Sequence, residues 1–412
     1  VNLFPTHRID CTVAGALYAL AAGVRRRGAP SRRPGTGPRP DAGADPGAET
    51  DRADGLLCLS VRSAFHLLLS AARLPTGSDV AISAVTHPDM ARIIRLHGLR
   101  PVPVDIDPRT LDIDPAALDA AITERTRALV VTHLFGARSS LDAAARAARA
   151  HDLLLIEDCA QSIQGPDDRG DPRADVSLFS FGLLKTATAL GGAVAWIRPR
   201  DLAADMRARQ EQWPEQSRRE YARRALVCVA ALALSRPLPY GLLFGGARRR
   251  DPQALLRSRV PRDEPGFTGW LQRRPCPALA RTVTRRLARF PTDRLRRRTA
   301  AGETLAAALP PVVFRPGGAA EHHTYWLFPV VVDDAARVVE ALRTAGVDAA
   351  PTTSQIGAVE PAPPGARRVL NGLVFLPAYP ELPAPRRDRL VAAFVATLTT
   401  GPDAPPVSDG TR

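Results

Sequence analysis

The sequence predicts an α/β fold, a mainly parallel β-sheet sandwiched by helices and followed by a smaller α+β domain. Three observations predict it. From Leu56 to Asp158, short apolar runs alternate with helix-like segments, the signature of strands joined by crossover helices. Two strand-like runs, VSLFSF (176–181) and GAVAWI (192–197), lie only about ten residues apart. That gap is too short for a crossover helix, so at least one of the pair runs antiparallel. The chain has 412 residues, 45% hydrophobic and 24% charged, which gives it the length and ordinary composition for two domains with ample core.

The elements follow in order. Residues 12–24, TVAGALYALAAGV, form an apolar run too short to span a bilayer, with no basic segment ahead of it to make a signal peptide. Residues 25–54 are rich in Pro and Gly, basic at first and then acidic, so 1–54 reads as an N-terminal arm and linker, with ordered folding beginning near Leu56. LLCLS (56–60) leads into the helix pattern AFHLLLSAARL, and the strand-like DVAISAV (79–85) precedes DMARIIRLHG, a helix closed by Gly98. PVPVDI (101–106) precedes the helical PAALDAAI (115–122). ALVVTHL (128–134) precedes LDAAARAARAH, and DLLLIED (152–158) is the next strand.

Residues 200–290 read as a basic helical segment completing a large domain over 55–290. Within it, ALVCVAALALSRPLPYGLLFGG (225–246), broken by Arg236 and two prolines, reads as a buried helix followed by a turn, with membrane-surface contact as the alternative. RTVTRRLARFPTDRLRRR (281–298) spaces Val283, Leu287 and Phe290 as a helix with a solvated basic face. The strand-like TYWLFPVVVDD, a helix through ARVVEALRTAGV and a closing helix near RDRLVAAFVATL make a small α+β domain over 291–412.

A net charge of +14 suits anionic partners. Aromatics at 5% leave little for a base-stacking platform, and abundant Arg beside Ala, Pro and Gly reflects biased coding, so no nucleic-acid partner is expected. The five cysteines (Cys11, Cys58, Cys159, Cys228, Cys276) are odd in number and scattered, with no zinc-type spacing. They point to a reducing cytoplasm and no metal site, and the short or broken apolar runs to no stable membrane anchor.

Of the 56 basic residues one is lysine, Lys185, leaving 55 arginines. Arginine serves as well on a surface but cannot shed its proton, whereas a buried lysine amine becomes a nucleophile able to form a Schiff base with an aldehyde. The alternative is that coding bias spared it by chance, so the neighbourhood decides. In open α/β sheets ligands bind beyond the carboxyl ends of the strands. The residues at those ends are VRSA, THP, THLFG and EDCAQS. A pyridoxal phosphate held on Lys185 needs an anion at its pyridine nitrogen, phosphate donors at a helix N-terminus and a flat group on its ring. Asp158 suits the first need (or is a helix cap), Arg62 and Ser63 suit the second, and His87 the third (or is merely structural).

IEDCAQS followed, 27 residues after its Asp, by the lysine of FSFGLLKTATALGG resembles the sugar aminotransferase family known as the DegT/DnrJ/StrS group, among the fold-type-I pyridoxal phosphate enzymes. The resemblance runs from about Leu56 to Gly192 and returns faintly at TYWLFPVVVDD and LVFLPAYPEL. It implies a seven-stranded-type sheet and a homodimer. It further implies that Lys185 carries pyridoxal 5′-phosphate and moves the proton, that Asp158 pairs with the pyridine nitrogen, and that Gln161 bonds the phenolic oxygen side. Ser180, with the turn at Arg62 and Ser63, would take the phosphate, and His87 would lie on the ring. Two departures stand out. The phosphate turn reads Ser60-Val61-Arg62-Ser63 where the family generally has glycine in second place, and no Gly-Tyr-Asn-x-Arg segment follows GGAVAWI.

The function implied is amino transfer from glutamate or glutamine to a keto sugar, nucleotide-linked, or a ketocyclitol. The retained lysine argues against the dehydratase branch, where histidine stands instead. The alternatives are a different pyridoxal phosphate reaction, a binding or scaffold protein that keeps the fold, and last a basic nucleic-acid or membrane-surface protein.

Overall fold

The structure is a computed structural model describing residues 2–24, 54–245, 260–351 and 355–399. Its elements begin with α1 (Val13–Val24), β1 (Asp54–Cys58), α2 (Val61–Ala72), β2 (Asp79–Ser83), β3 (Val85–Thr86), α3 (Pro88–Leu96) and β4 (Arg100–Val104). Then come α4 (Pro115–Ala121), β5 (Thr126–Thr132), β6 (Ala137–Arg138), α5 (Asp142–Ala150), β7 (Leu154–Asp158), β8 (Val176–Ser180) and β9 (Ala193–Ile197). Helices follow: α6 (Arg200–Glu211), α7 (Arg218–Leu234), α8 (Pro237–Phe244), α9 (Glu264–Leu271), α10 (Pro277–Ala288) and α11 (Thr292–Ala308). The last are β10 (His322–His323), β11 (Phe328–Val331), α12 (Ala335–Thr344), β12 (Gly357–Ala358), α13 (Pro364–Leu370), β13 (Leu373–Leu376) and α14 (Ala384–Thr399).

Seven strands form one sheet in the order β1-β9-β8-β7-β5-β2-β4. Pairings from β4 through β8 are parallel, while β9 runs antiparallel to both β8 and β1. The short link between β8 and β9 allows no other arrangement. β2 and β9 are buried at every position, as expected for strands covered on both faces. One apolar core, including Phe65, Leu67, Ile82, Ile94 and Met206, lies under α2, α3 and α6; another, with Leu118, Leu129, Ala144 and Leu155, lies under α4 and α5 on the other face. Each fully buried side chain of this kind contributes about 1.5–3 kcal/mol.

Helix starts are written locally. Ser60 Oγ accepts the Ser63 N–H at 3.1 Å to open α2, and Asp114 Oδ1 accepts the Ala117 N–H at 2.8 Å ahead of Pro115 to open α4. Gly98, at φ +68°, ends the turn after α3. The C-terminal α+β unit pairs β11 with β13 antiparallel, and Phe328, Val330, Leu342, Val374, Leu390 and Phe394 fill the core between them and the surrounding helices.

Three expectations are corrected. Ordered structure begins well before Leu56: α1 buries Ala16, Ala19 and Ala22, and the Gly23 backbone lies so close to Ala222 of α7 that an added Cβ would stand 2.9 Å from the Ala222 Cβ. Small residues make that approach possible, and their contribution to a core is invisible in a run judged by length. The linker, 25–53, lies outside the described residues. The basic helix over 281–298 is two helices, because Pro291 cannot continue α10 and begins α11 instead. The apolar stretch at 225–246 is buried on one face only. Leu226 is 58% and Leu242 73% exposed, beside exposed Leu17, Leu234 and Leu238. No single helix among the described residues is long and apolar enough to cross a membrane; α7 and α8 reach that length and apolarity together but meet at 97°.

Candidate active site

The site is assembled at the carboxyl ends of β5, β7 and β8, where Thr132 pairs with Asp158 and Asp158 with Leu178 in register. The chain passes from β8 into a tight loop that returns to β9. The Phe181 carbonyl accepts N–H groups from both Ala189 and Gly191 at 3.0 Å, and the Lys185 N–H closes a turn on the Gly182 carbonyl. Ala187 and Leu190 are left-handed, at φ +53° and +65°, a conformation costing on the order of 1 kcal/mol each. Asp10 Oδ2 accepts the Ala187 N–H at 2.8 Å and Thr188 Oγ1 accepts the Leu190 N–H at 2.9 Å, which holds both in place. The N-terminal segment thus braces the lysine loop.

Lys185 is 9% exposed, and its Nζ stands 3.7 Å from the centroid of the Trp326 ring. Burial pushes its amine down to about 7, the Asp158 carboxylate pulling it back up and the Arg62 charge lowering it further. Trp326 is fixed from two sides. Its Nε1 donates to the Leu184 carbonyl at 2.8 Å, and Gly136, at φ +104°, lies so close that a Cβ there would stand 2.5 Å from the Trp326 nitrogen.

Asp158 is buried beside the lysine. Burial raises its carboxyl, while the Ala160 N–H, donating to Oδ1 at 3.0 Å, and the Lys185 charge bring it back. Gln161 is aimed by its carboxamide oxygen, which accepts the Phe135 N–H at 2.9 Å, so its NH2 group is the end left for a ligand. His87 Nδ1 accepts the Asp89 N–H at 3.1 Å, opening α3. Burial, with Arg62 and against Asp89, pushes its ring down to about 3, leaving a neutral imidazole at pH 7. Arg62 donates to Asp89 at 2.7 Å and lies 4.6 Å over the Trp270 ring, so its guanidinium is held by protein groups. Ser63 Oγ is 3.1 Å from Ser60 Oγ. Ser180 Oγ and Lys185 Cγ flank Gly182, and the Gly192 N–H ties the lysine loop to Leu59, just ahead of the Ser60 cap. Val61 sits in the first turn of α2 with negative φ, so the valine meets no backbone penalty there.

Beneath Asp158 lies a charge network. Glu157 Oε1 accepts from His133 at 2.8 Å and from Arg138 at 2.7 Å, and its Oε2 accepts from Ser177 and the Asp171 N–H. Burial alone would raise the Glu157 carboxyl, but His133 and Arg138 hold it well below the usual range. His133, Glu157 and Cys159 are close enough to suggest a metal site, yet Arg138 already donates to Glu157 and, at 2.8 Å, to Cys159 Sγ. A guanidinium fills the place a cation would take, so the cluster reads as structural.

Asp158 and Arg62 therefore lie near enough to Lys185 to act on its charge, and Arg62 and Lys185 near enough to act on that of His87; Ser180 adjoins the lysine loop. Sequence reasoning missed the other wall: His7, Asp10, Arg298, Trp326 and Tyr379 line a cavity shared with Lys185. Trp326 and Tyr379 lay within the two faint C-terminal stretches, whereas nothing in the sequence ties the N-terminal segment or Arg298 to the lysine.

Residues 54–224 match the DegT/DnrJ/EryC1/StrS aminotransferase family. The chain is similar to GDP-perosamine synthase of Caulobacter vibrioides, 36% identical over 167 residues covering 40% of this chain and 45% of that protein. It is also similar to L-glutamine:2-deoxy-scyllo-inosose aminotransferase of Streptoalloteichus tenebrarius, 37% identical over 169 residues and 39% of each chain. The matched stretch thus spans less than half the length of either relative. Among solved structures, the aminotransferase TlmJ from Streptoalloteichus hindustanus superposes with a TM-score of 0.61 at 20% identity, covering 84% of this chain and 85% of that one. The 3-amino-5-hydroxybenzoic acid synthase superposes with 0.62 at 18% identity, covering 86% and 88%; both share the fold.

Proposed function

We propose, from the match of residues 54–224 to the DegT/DnrJ/EryC1/StrS aminotransferase family, that the protein is a pyridoxal phosphate-dependent aminotransferase. It would move an amino group from glutamate or glutamine to a keto sugar or ketocyclitol. The observation that carries this reading is the pairing of a buried amine lowered to about 7 with a buried carboxylate, each altering the other's charge, at the strand ends.

The residues present fit the cofactor. Bound pyridoxal 5′-phosphate would supply an aldehyde that captures amines and a ring that takes up the electron pair left when a proton leaves the amine-bearing carbon. Near pH 7 a substantial fraction of Lys185 is unprotonated, so Nζ can act as nucleophile and afterwards hold or release the proton at the reacting carbon. Asp158 would hold the ring nitrogen, and the Gln161 NH2 would donate to the phenolic oxygen. The opening N–H groups of α2, at Val61 and Arg62, have no partner within the helix and suit a phosphate, with Ser63 and Ser180 adding hydroxyls. His87, neutral and buried, suits a place against the ring.

Supporting a carbohydrate-like acceptor are the relatives, named for perosamine and scyllo-inosose chemistry. The exposed apolar faces of α1, α7 and α8 support a homodimer. The five free cysteines suit a reducing cytoplasm. The scaffold reading rested on Val61 spoiling the phosphate turn, and the helical position of Val61 removes that support. Purified protein supplied with pyridoxal phosphate should show a visible absorption band that bleaches on adding glutamate or glutamine. A colourless protein that takes up no cofactor would overturn the reading.

A further inference from the structure

The N-terminal segment and α7 both brace the lysine loop, and each carries a cysteine beside its brace. Asp10, 5% exposed, accepts the Ala187 N–H on Oδ2 at 2.8 Å. Tyr221, on α7, donates its hydroxyl to the Ala189 carbonyl at 3.0 Å. Cys11 follows Asp10 directly, and Cys228 stands about two helical turns after Tyr221, on the same buried face of α7. Cys11 packs against the apolar cluster that contains Tyr221, Ala225 and Cys228, and α1 meets α7 closely at Gly23 and Ala222. The two thiols are near enough for Cys228 to donate a hydrogen bond to Cys11.

Their surroundings divide the roles. Cys11 is half-buried, and the Cys228 hydrogen bond, against burial and with the Arg286 charge, lowers its thiol below the ordinary value. Cys228 is fully buried, and its bond to Cys11, with burial, pushes its thiol up, so it remains the donor of the pair. The other three cysteines, Cys58, Cys159 and Cys276, are buried, which leaves Cys11 as the thiol that a dissolved reagent meets first.

We propose that Cys11 and Cys228 are a redox pair whose disulfide draws the N-terminal brace away from the lysine loop. The Cys11 thiolate attacks a small-molecule disulfide, forming a mixed disulfide and releasing one thiol. The Cys228 sulfur then attacks the Cys11 sulfur and expels the second. Two protein thiols are oxidised, the reagent disulfide is reduced to two thiols, and the protons of Cys11 and Cys228 pass to the released sulfurs. The new bond brings the two sulfurs from hydrogen-bond contact into covalent contact. Cys228 is fixed within a helix and the core, so Cys11 is the residue that moves, and Asp10 moves with it. Ala187, left-handed at φ +53°, then loses the acceptor that holds it. A reducing compartment keeps the pair as thiols, and the bond closes as small-molecule disulfide accumulates. The disulfide stands apart from the aminotransferase reading; its effect on turnover rests on that reading.

The test treats full-length protein with oxidised glutathione and then with dithiothreitol. Peptide mapping by mass spectrometry should find Cys11 joined to Cys228 within one chain, a link that dithiothreitol reverses and that Cys11→Ser and Cys228→Ala both lack. Hydrogen exchange of the peptide carrying Ala187, measured without cofactor, should quicken about tenfold on oxidation of wild type and stay unchanged in Cys11→Ser. Turnover of the cofactor-loaded protein should fall by about tenfold or more on oxidation and return on reduction. Cys11→Ser changes a half-buried site, so it carries the test alone if Cys228→Ala fails to fold. The proposal is overturned if glutathione stays attached to Cys11, if the cysteines join in another pairing, or if the linked protein keeps its slow exchange at Ala187 or its turnover. The aminotransferase reading is judged separately on the reduced protein: a linked, fast-exchanging sample whose reduced form shows no visible band with pyridoxal phosphate sinks that reading and leaves the redox pair standing.

Discussion

Lys185 Nζ lies 3.7 Å from the centroid of the Trp326 ring, joining the loop after β8 to a segment some 140 positions later. The ring attracts an ammonium by roughly 1–2 kcal/mol, which favours the charged amine. It also keeps water out, which favours the neutral one, and burial is the largest cause of the drop from 10.5 to about 7. That drop corresponds to on the order of 5 kcal/mol, so exclusion of water outweighs ring attraction. Trp326→Ala should therefore raise the Lys185 midpoint to roughly 9, by about half of that drop. The pH dependence of amine methylation in cofactor-free protein reads it; a midpoint that stays near 7 would count against the ring as the water barrier.

The same amine makes stability depend on pH. The unfolded chain keeps the Lys185 proton up to about 10.5, and the folded protein releases it above about 7. Between those limits the unfolded state binds more protons, so the contribution of Lys185 to stability improves as pH rises from 7 to 10.5 and is worst below 7. Lys185→Met in cofactor-free protein should be more stable than wild type by a few kcal/mol at pH 6, and the gap should shrink steadily by pH 9.5. Urea unfolding at the two pH values decides it; a gap independent of pH would mean that the amine is not held neutral.

Asp158→Asn keeps the shape and removes the charge. Because burial raises the Asp158 carboxyl, the folded protein binds that proton more readily than the unfolded one, and stability falls as pH climbs from the ordinary 3.8 through the raised folded value. The asparagine form should thus be as stable as wild type or more so at pH 7, while transamination falls roughly a hundredfold or more for want of the anion. Melting curves and single-turnover rates together test this. Near-normal turnover would remove Asp158 from the proposed chemistry.

The sheet was legible because its strands are short apolar runs, β2, β5, β7 and β8 each ended by a polar residue, and the reversed β9 was legible from a gap no helix could fill. Lys185 and Asp158 stood out by rarity and by position at strand ends. The far wall was not legible, since His7, Arg298, Trp326 and Tyr379 come from four segments that only tertiary packing brings together. α1 was misjudged because its buried face is alanine and glycine, which carry little hydropathy signal but pack closely against Ala222. Arg62 reads in sequence as part of the phosphate turn without saying which of its groups would serve; its guanidinium donates to Asp89 and lies over Trp270, a pairing that only tertiary packing makes.

Glu157 supports Asp158 from beneath. It is the buried carboxylate that His133, Arg138, Ser177 and the Asp171 N–H all converge upon. Glu157→Gln leaves Arg138 partly uncompensated and presents an NH2 group to donors, so it should cost about 3 kcal/mol in denaturant unfolding. A change below about 0.5 kcal/mol would mean that the network stabilises nothing beyond its packing.

The outward faces of α1, α7 and α8 are apolar where a monomer would carry charge. Leu226 at 58% and Leu242 at 73% exposure sit with Leu17, Leu234 and Leu238. On α7 the exposed stripe starts at Arg219 and Arg223 and turns apolar from Leu226 onward, so solvent exposure along the whole helix was not what shaped it. If a second copy of the chain covers this face, each leucine contributes about 1.5–3 kcal/mol to association. Placing a carboxylate there would then cost that amount plus the burial of a charge. Leu226→Glu and Leu242→Glu together should convert a dimer into a monomer in sedimentation equilibrium at micromolar protein, with the far-ultraviolet spectrum unchanged. A double variant with undiminished mass would place the subunit contact elsewhere and leave this face to another partner.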